Sequence, residues 1–119
     1  MTTKDWWMKP RRFEVWLADL SPRMATEPGK KRPVVVVQTD LLNGFHPSTV
    51  VCPMTSHLIP GITILRVRVT SGGLDKPSDI LVDQVRAIDN RRLFNRLGRL
   101  TEPQARKLQV NLRIVLDFL

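Results

Sequence analysis

The chain has 119 residues, enough for one domain around one hydrophobic core and no second domain. An apolar fraction of 42% and a charged fraction of 25% are ordinary for a soluble globular protein, but 19 basic against 11 acidic side chains leave a net charge of +8. That surplus points to a polyanionic partner, whether RNA, DNA, an acidic protein or a membrane surface, and does not choose among them.

Residues 1–11 are mostly polar and basic, apart from Trp6, Trp7 and Met8, and read as an arm ahead of a domain spanning 12–119. Lys4, Asp5 and Lys9 break any apolar core there, so no secretory signal is expected. No apolar run reaches bilayer-spanning length, which makes a cytoplasmic protein away from the membrane the default. Trp6 and Trp7 read as packing on the body, with stacking on a base as the alternative. Residues 13–20 predict a first strand with Phe13, Val15 and Leu17 on one face at period two, ended by Ser21-Pro22.

Next comes Thr26-Glu27-Pro28-Gly29-Lys30-Lys31-Arg32-Pro33. Pro28, Gly29 and Pro33 forbid a helix here, and Pro33 pushes Arg32 toward an extended backbone. Val34 to Val37 then predict a strand buried on both faces. Glu27, Lys30, Lys31 and Arg32 are thus polar groups on a loop rooted in a rigid element, where binding and catalytic side chains concentrate. The plain alternative is a solvated basic hairpin loop.

Thr39-Asp40 can cap a helical turn at Leu41-Leu42, stopped by Asn43-Gly44. Residues 49–54 predict a third strand, in which Cys52 reads as a small core residue; as the lone cysteine it excludes an internal disulfide and a cysteine-cluster zinc site. Thr55, Ser56 and His57 stand where that strand ends. Residues 63–70 alternate as a half-buried strand with a basic face at Arg66 and Arg68, either a phosphate track or a solvated face. Residues 79–88 predict one further strand with Val82, Gln84 and Arg86 on a common face. Residues 91–100 are strongly basic and predict a last strand around 96–98. Thr101 and Gln104 form a capping box for a helix whose Ala105, Leu108, Leu112, Val115, Leu116 and Leu119 line one side. Strands first and one terminal helix last predict a mostly-β α+β domain, and the short strands favour a small antiparallel barrel.

These signals together resemble the MazF/PemK family of toxin endoribonucleases from type II toxin–antitoxin systems. The resemblance rests on Val15-Trp16-Leu17-Ala18-Asp19-Leu20-Ser21-Pro22, on Glu27 and Gly29 ahead of Arg32-Pro33-Val34-Val35-Val36, on Val51-Cys52-Pro53-Met54-Thr55-Ser56, on Leu81-Val82-Asp83-Gln84-Val85-Arg86-Ala87-Ile88-Asp89, and on Leu97-Gly98-Arg99-Leu100. It covers residues 12–119 and leaves out the arm. It implies an SH3-like β-barrel of the CcdB/MazF kind with added helices, a homodimer, metal-independent cleavage of single-stranded RNA at short motifs, and a cognate antitoxin whose flexible segment blocks the RNA groove. It places the active-site arginine at Arg32, the nearby acid at Glu27 and the Thr-Ser pair at Thr55 and Ser56, with Gln84 and Arg86 close by. Ala25-Thr26-Glu27-Pro28 departs from the Gly-Ser-Glu-Gln common in the family, so the loop's conformation is expected to differ.

Metal-free cleavage can use the RNA's own 2′-OH, and the protein then supplies a proton acceptor, a proton donor and cationic stabilisation of the phosphorane. Arg32 offers a planar fork for two phosphate oxygens. Thr55 can bond a phosphate oxygen or orient the 2′-OH, and Glu27 can serve as general base or merely hold Arg32. Ser56, Lys30, Lys31, His57, Gln84 and Arg86 are candidate RNA contacts. His57 is the side chain best matched to neutral pH. His46 lies far from it in sequence, no metal-ligand spacing is present, and no cofactor is expected. Two other classes compete: a non-catalytic CcdB-like toxin, since fold does not fix function, and a basic nucleic-acid-binding module, against which stands the absence of a helix-turn-helix pattern. The +8 charge further implies that the antitoxin segment is acidic.

Overall fold

A computed structural model describes residues 9–22, 31–61 and 64–118. Trp6, Trp7, Glu27, Lys30 and Leu119 lie outside the described residues. Among the described residues, seven antiparallel strands are followed by one helix: β1 Glu14–Asp19, β2 Lys31–Val36, β3 Ser48–Thr55, β4 Arg66–Val69, β5 Ser78–Leu81, β6 Arg86–Asp89, β7 Leu93–Arg99 and α1 Glu102–Leu116. The strand order is β4-β5-β3-β2-β1-β7, with β6 also paired to β3.

The core explains this arrangement. Along β1, β2 and β3 alternate side chains enter two different apolar clusters. Val15, Val35, Cys52 and Met54 pack with Val67, Val69, Ile80 and Leu108, while Trp16, Ala18, Val34, Val36 and Val51 pack with Ile88 and Leu93. These three strands are therefore buried on both faces, as the valine run predicts for β2. The second cluster fills a curl made by β3, β2, β1, β7 and β6. No ladder joins β6 to β7; the chain itself closes that gap through a 3-10 turn at Asn90–Arg92. The result is the predicted small barrel-like sheet, hydrogen-bonded except at one seam. The β4–β5 hairpin and α1 cover the outside with the first cluster.

Two expectations need correction. Residues 79–88 do not form one strand; β5 and β6 are separated by a 3-10 turn at Val82–Gln84. The cause lies in β3, which pairs with β6 over Ser48 to Val51 and with β5 at Met54 and Thr55. Its Pro53, at the change of partner, has no N–H for a ladder. Val82 consequently turns into the core while Gln84 and Arg86 stay exposed, so the three share no face. In the first strand, Phe13 falls outside β1: its φ is +69°, a conformation rare for a bulky residue, although its side chain still packs against the cluster that holds Val15. Its N–H donates to the Val36 carbonyl at 2.7 Å and its carbonyl accepts from Leu100 N–H at 2.9 Å, which holds it there.

Helix α1 begins as expected. The Thr101 hydroxyl accepts from Gln104 N–H at 3.3 Å, and the Gln104 side chain accepts from Thr101 N–H at 2.8 Å. Ala105, Leu108, Leu112 and Val115 pack on the core, whereas Leu116 is exposed. The 39–46 segment makes hydrogen-bonded turns around Leu41 and Leu42 and no regular helix.

Candidate functional site

The barrel brings most of the singled-out residues to the root of the 21–30 loop. β1 and β2 pair with Asp19 opposite Lys31 and Ala18 opposite Arg32. β2 and β3 pair from Val36 opposite Val51 to Val34 opposite Pro53, so Arg32 and Thr55 each lie two residues beyond the last pair, at the same end of the two strands. Arg32 is exposed, as its place after the loop and before the buried valines requires. Lys31 Nζ sits 4.0 Å from the centre of the Phe94 ring, which fixes its charge on the flank of Arg32.

Thr55 ends β3 in a hydrogen-bonded turn. Its Oγ1 accepts the backbone N–H of His57 at 3.1 Å. The hydroxyl proton therefore remains for an acceptor elsewhere. Ser56 and His57 continue this turn and are exposed. Arg86 approaches the loop root from the other flank, its guanidinium 3.5 Å from the Leu20 carbonyl. Gln84 is exposed in the 3-10 turn that packs against β3, and no register brings it to Thr55.

The loop root is clamped. Asp19 is buried and accepts from the Ser21 N–H at 2.9 Å and from the Ser21 hydroxyl. Arg92 donates to the Ser21 carbonyl at 2.6 Å and to the Asp19 carbonyl at 3.3 Å, and lies 3.9 Å from the Asp19 carboxylate. Sequence reasoning placed Arg92 only within a basic run, because its partners are backbone carbonyls about 70 residues away. Arg91 and Arg96 are engaged too. Arg91 bonds both oxygens of Asp89, which holds that carboxyl down at about 2, and Arg96 pairs with buried Glu14 at 2.9 Å.

Arg66 and Arg68 are not a simple solvated face. Both meet Asp79 of the neighbouring strand, Arg66 at 3.2 Å and Arg68 at 2.5 Å, on different carboxylate oxygens. Burial pushes the Asp79 carboxyl up, but the hydrogen bonds from Arg68 and Arg66 outweigh it and the net shift is downward. Asp79 is in turn the strand partner of Thr55. The missed signal is an acid set opposite the basic face of a registered hairpin. Cys52 is inert: burial first, and the Asp83 carboxylate second, push its thiol up to about 12. Among the described residues no three His, Cys, Asp or Glu side chains group to hold a metal ion, and no helix is long and apolar enough to cross a membrane.

A curled antiparallel sheet with a covering terminal helix and a cationic loop root is the architecture of a small β-barrel toxin. The family profile of PemK-like, MazF-like toxins of type II toxin–antitoxin systems matches residues 11–116, and the chain belongs to this family. Solved structures share the fold. MazF from Deinococcus radiodurans superposes with a TM-score of 0.75 at 23% identity, covering 92% of this chain and 97% of that one. The Mycobacterium tuberculosis toxin MazF-mt6 gives 0.72 at 22% identity, covering 87% and 96%. An endoribonuclease from a mycobacterial species, solved in complex with its cognate antitoxin, gives 0.71 at 20% identity, covering 92% and 97%.

Proposed function

We propose that this toxin is a sequence-specific, metal-independent endoribonuclease that cuts single-stranded RNA in the cytoplasm by attack of the substrate's 2′-OH. The observation that supports this reading is the β2–β3 pairing, whose last pair, Val34 with Pro53, leaves the exposed Arg32 and the strand-ending Thr55 just beyond it at the same end of the two strands. A scissile phosphate between them receives charge stabilisation from Arg32 and a hydrogen bond from Thr55, whose acceptor side already holds His57 N–H. Glu27, on the loop whose root Arg92 clamps, accepts the 2′-OH proton or orients Arg32. Lys30, Lys31, Ser56, His57, Gln84 and Arg86 bind the flanking RNA. The active unit is a homodimer, and an antitoxin with an acidic flexible segment covers the same cationic surface.

The test is incubation of the purified chain with a long RNA in EDTA, followed by mapping of the cut ends. Cyclic phosphate or 3′-phosphate ends facing 5′-OH ends are expected, and a deoxyribose just 5′ of the cut phosphate should abolish cleavage while preserving binding. A 5′-phosphate product, or full cleavage of the deoxy-substituted RNA, would sink the 2′-OH scheme. Complete loss of cutting in EDTA would refute metal independence.

A further inference from the structure

A cleft of about 150 Å³ opens between residues 59–61, strand β4 and helix α1, lined by Arg66, Arg68, Asp79 and Lys107. Three cations face one carboxylate there. Asp79 is 2% exposed, and each of its oxygens is engaged by a different arginine. Its role is to fix the two guanidinium groups rather than to offer a site for a cation. Arg68 meets it through Nε, so its terminal nitrogens still carry four N–H groups on a side chain that is 47% exposed. Arg66 also donates to the His57 carbonyl at 2.8 Å, which ties this lining residue to the Thr55–His57 turn. Thr55 and Asp79 are direct strand partners, with Cα atoms about 5 Å apart by antiparallel geometry.

We propose that this cleft is a phosphate subsite, in which Arg68, Arg66 and Lys107 hold a backbone phosphate of the RNA close to the one bound at Arg32 and Thr55. The proposal rests on the ribonuclease reading above. A pinned guanidinium pair suits a tetrahedral oxyanion, because a fork already held in place loses little side-chain freedom on binding. Continuity with the Thr55 turn favours an RNA phosphate over an acidic protein segment. The subsite fixes the strand's position without reading bases, so it contributes affinity and register and no sequence preference.

The experiment compares wild type with Arg68→Ala and Lys107→Ala. Lys107 is exposed on α1, so its variant tests the idea even if Arg68→Ala fails to fold. Binding of an RNA blocked by deoxyribose at the cut is measured against salt, with each phosphate replaced in turn by a neutral methylphosphonate. Each variant should lower the salt slope by about 0.7. Wild type should lose affinity at one particular methylphosphonate position near the cut, and the variants should be indifferent to that same position. Unchanged slopes and an unchanged methylphosphonate pattern, with RNA still cut, would overturn the subsite and leave the ribonuclease reading intact. Unchanged RNA binding with weakened binding of a polyglutamate peptide would reassign the cleft to an acidic protein segment and also overturn the proposal. A wild type that neither binds nor cuts any RNA would overturn both.

Discussion

The Thr55 hydroxyl accepts the backbone N–H of His57 at 3.1 Å, so a side chain assigned to substrate also shapes the turn that carries it. Two variants test this dual role. Thr55→Ser keeps the oxygen and should cut RNA at close to the wild-type rate. Thr55→Val removes both the acceptor for His57 N–H and the donor for phosphate, and should slow cleavage about tenfold, in line with about 1.4 kcal/mol for a neutral hydrogen bond. Single-turnover rates measure this, and equal rates for the two variants would remove Thr55 from the reaction.

Arg32 should matter more. Losing a charge-assisted contact to a developing oxyanion costs about 3 kcal/mol, so Arg32→Ala should reduce cleavage a little over a hundredfold. Arg32→Lys should recover little, since an ammonium cannot reproduce two parallel N–H donors. Unfolding curves should stay near wild type, because the side chain is exposed. A lysine variant with full activity would show that charge alone suffices.

Asp79 predicts an acid-dependent stability. Its carboxyl titrates lower in the folded chain than its ordinary value of 3.8, through Arg68 and Arg66 acting against burial. The stabilisation is complete above that ordinary value and is lost as pH falls through the lower folded value. Asp79→Asn should reduce stability by about 2 kcal/mol at neutral pH, roughly 8 °C in Tm, and should flatten the decline of Tm below pH 4. Parallel Tm–pH curves for variant and wild type would contradict this.

Gly73 and Gly61 make a matched pair. Both have positive φ, +81° and +87°. A Cβ on Gly73 would stand 1.9 Å from the Leu97 carbonyl oxygen, whereas a Cβ on Gly61 meets nothing within 4 Å. Gly61→Ala should therefore cost about 1 kcal/mol of backbone strain, and Gly73→Ala about 3 kcal/mol or more, because the hairpin turn must separate from β7. Urea midpoints would decide; similar costs would show that the β4–β5 turn gives way.

The parts of the fold legible in the sequence were those governed by local pattern. The valine run declared a doubly buried strand, and Thr101 with Gln104 declared the helix start. The break in 79–88 was not legible, because it follows from β3 changing partners along one edge, a long-range event that leaves Ile80 to Ile88 looking like an unbroken strand. At the candidate site, Arg32 stood out from its place between a charged loop and a buried strand, whereas Thr55 was singled out through the family resemblance. Asp79 and Arg92 did not, since their importance lies in partners that only the register and the curl of the sheet supply.

The seam between β6 and β7 gives the barrel an uneven response to cutting. Everywhere else around the ring, neighbouring strands are stitched by ladders, so a nick in the 39–46 turns would leave every stave in place. At Asn90–Arg92 the backbone is itself the hoop. A single break there would free β6 from β7 and release Arg92 from the carbonyls of Asp19 and Ser21. A protease acting at this turn would thus loosen the root of the 21–30 loop without touching Arg32 or Thr55.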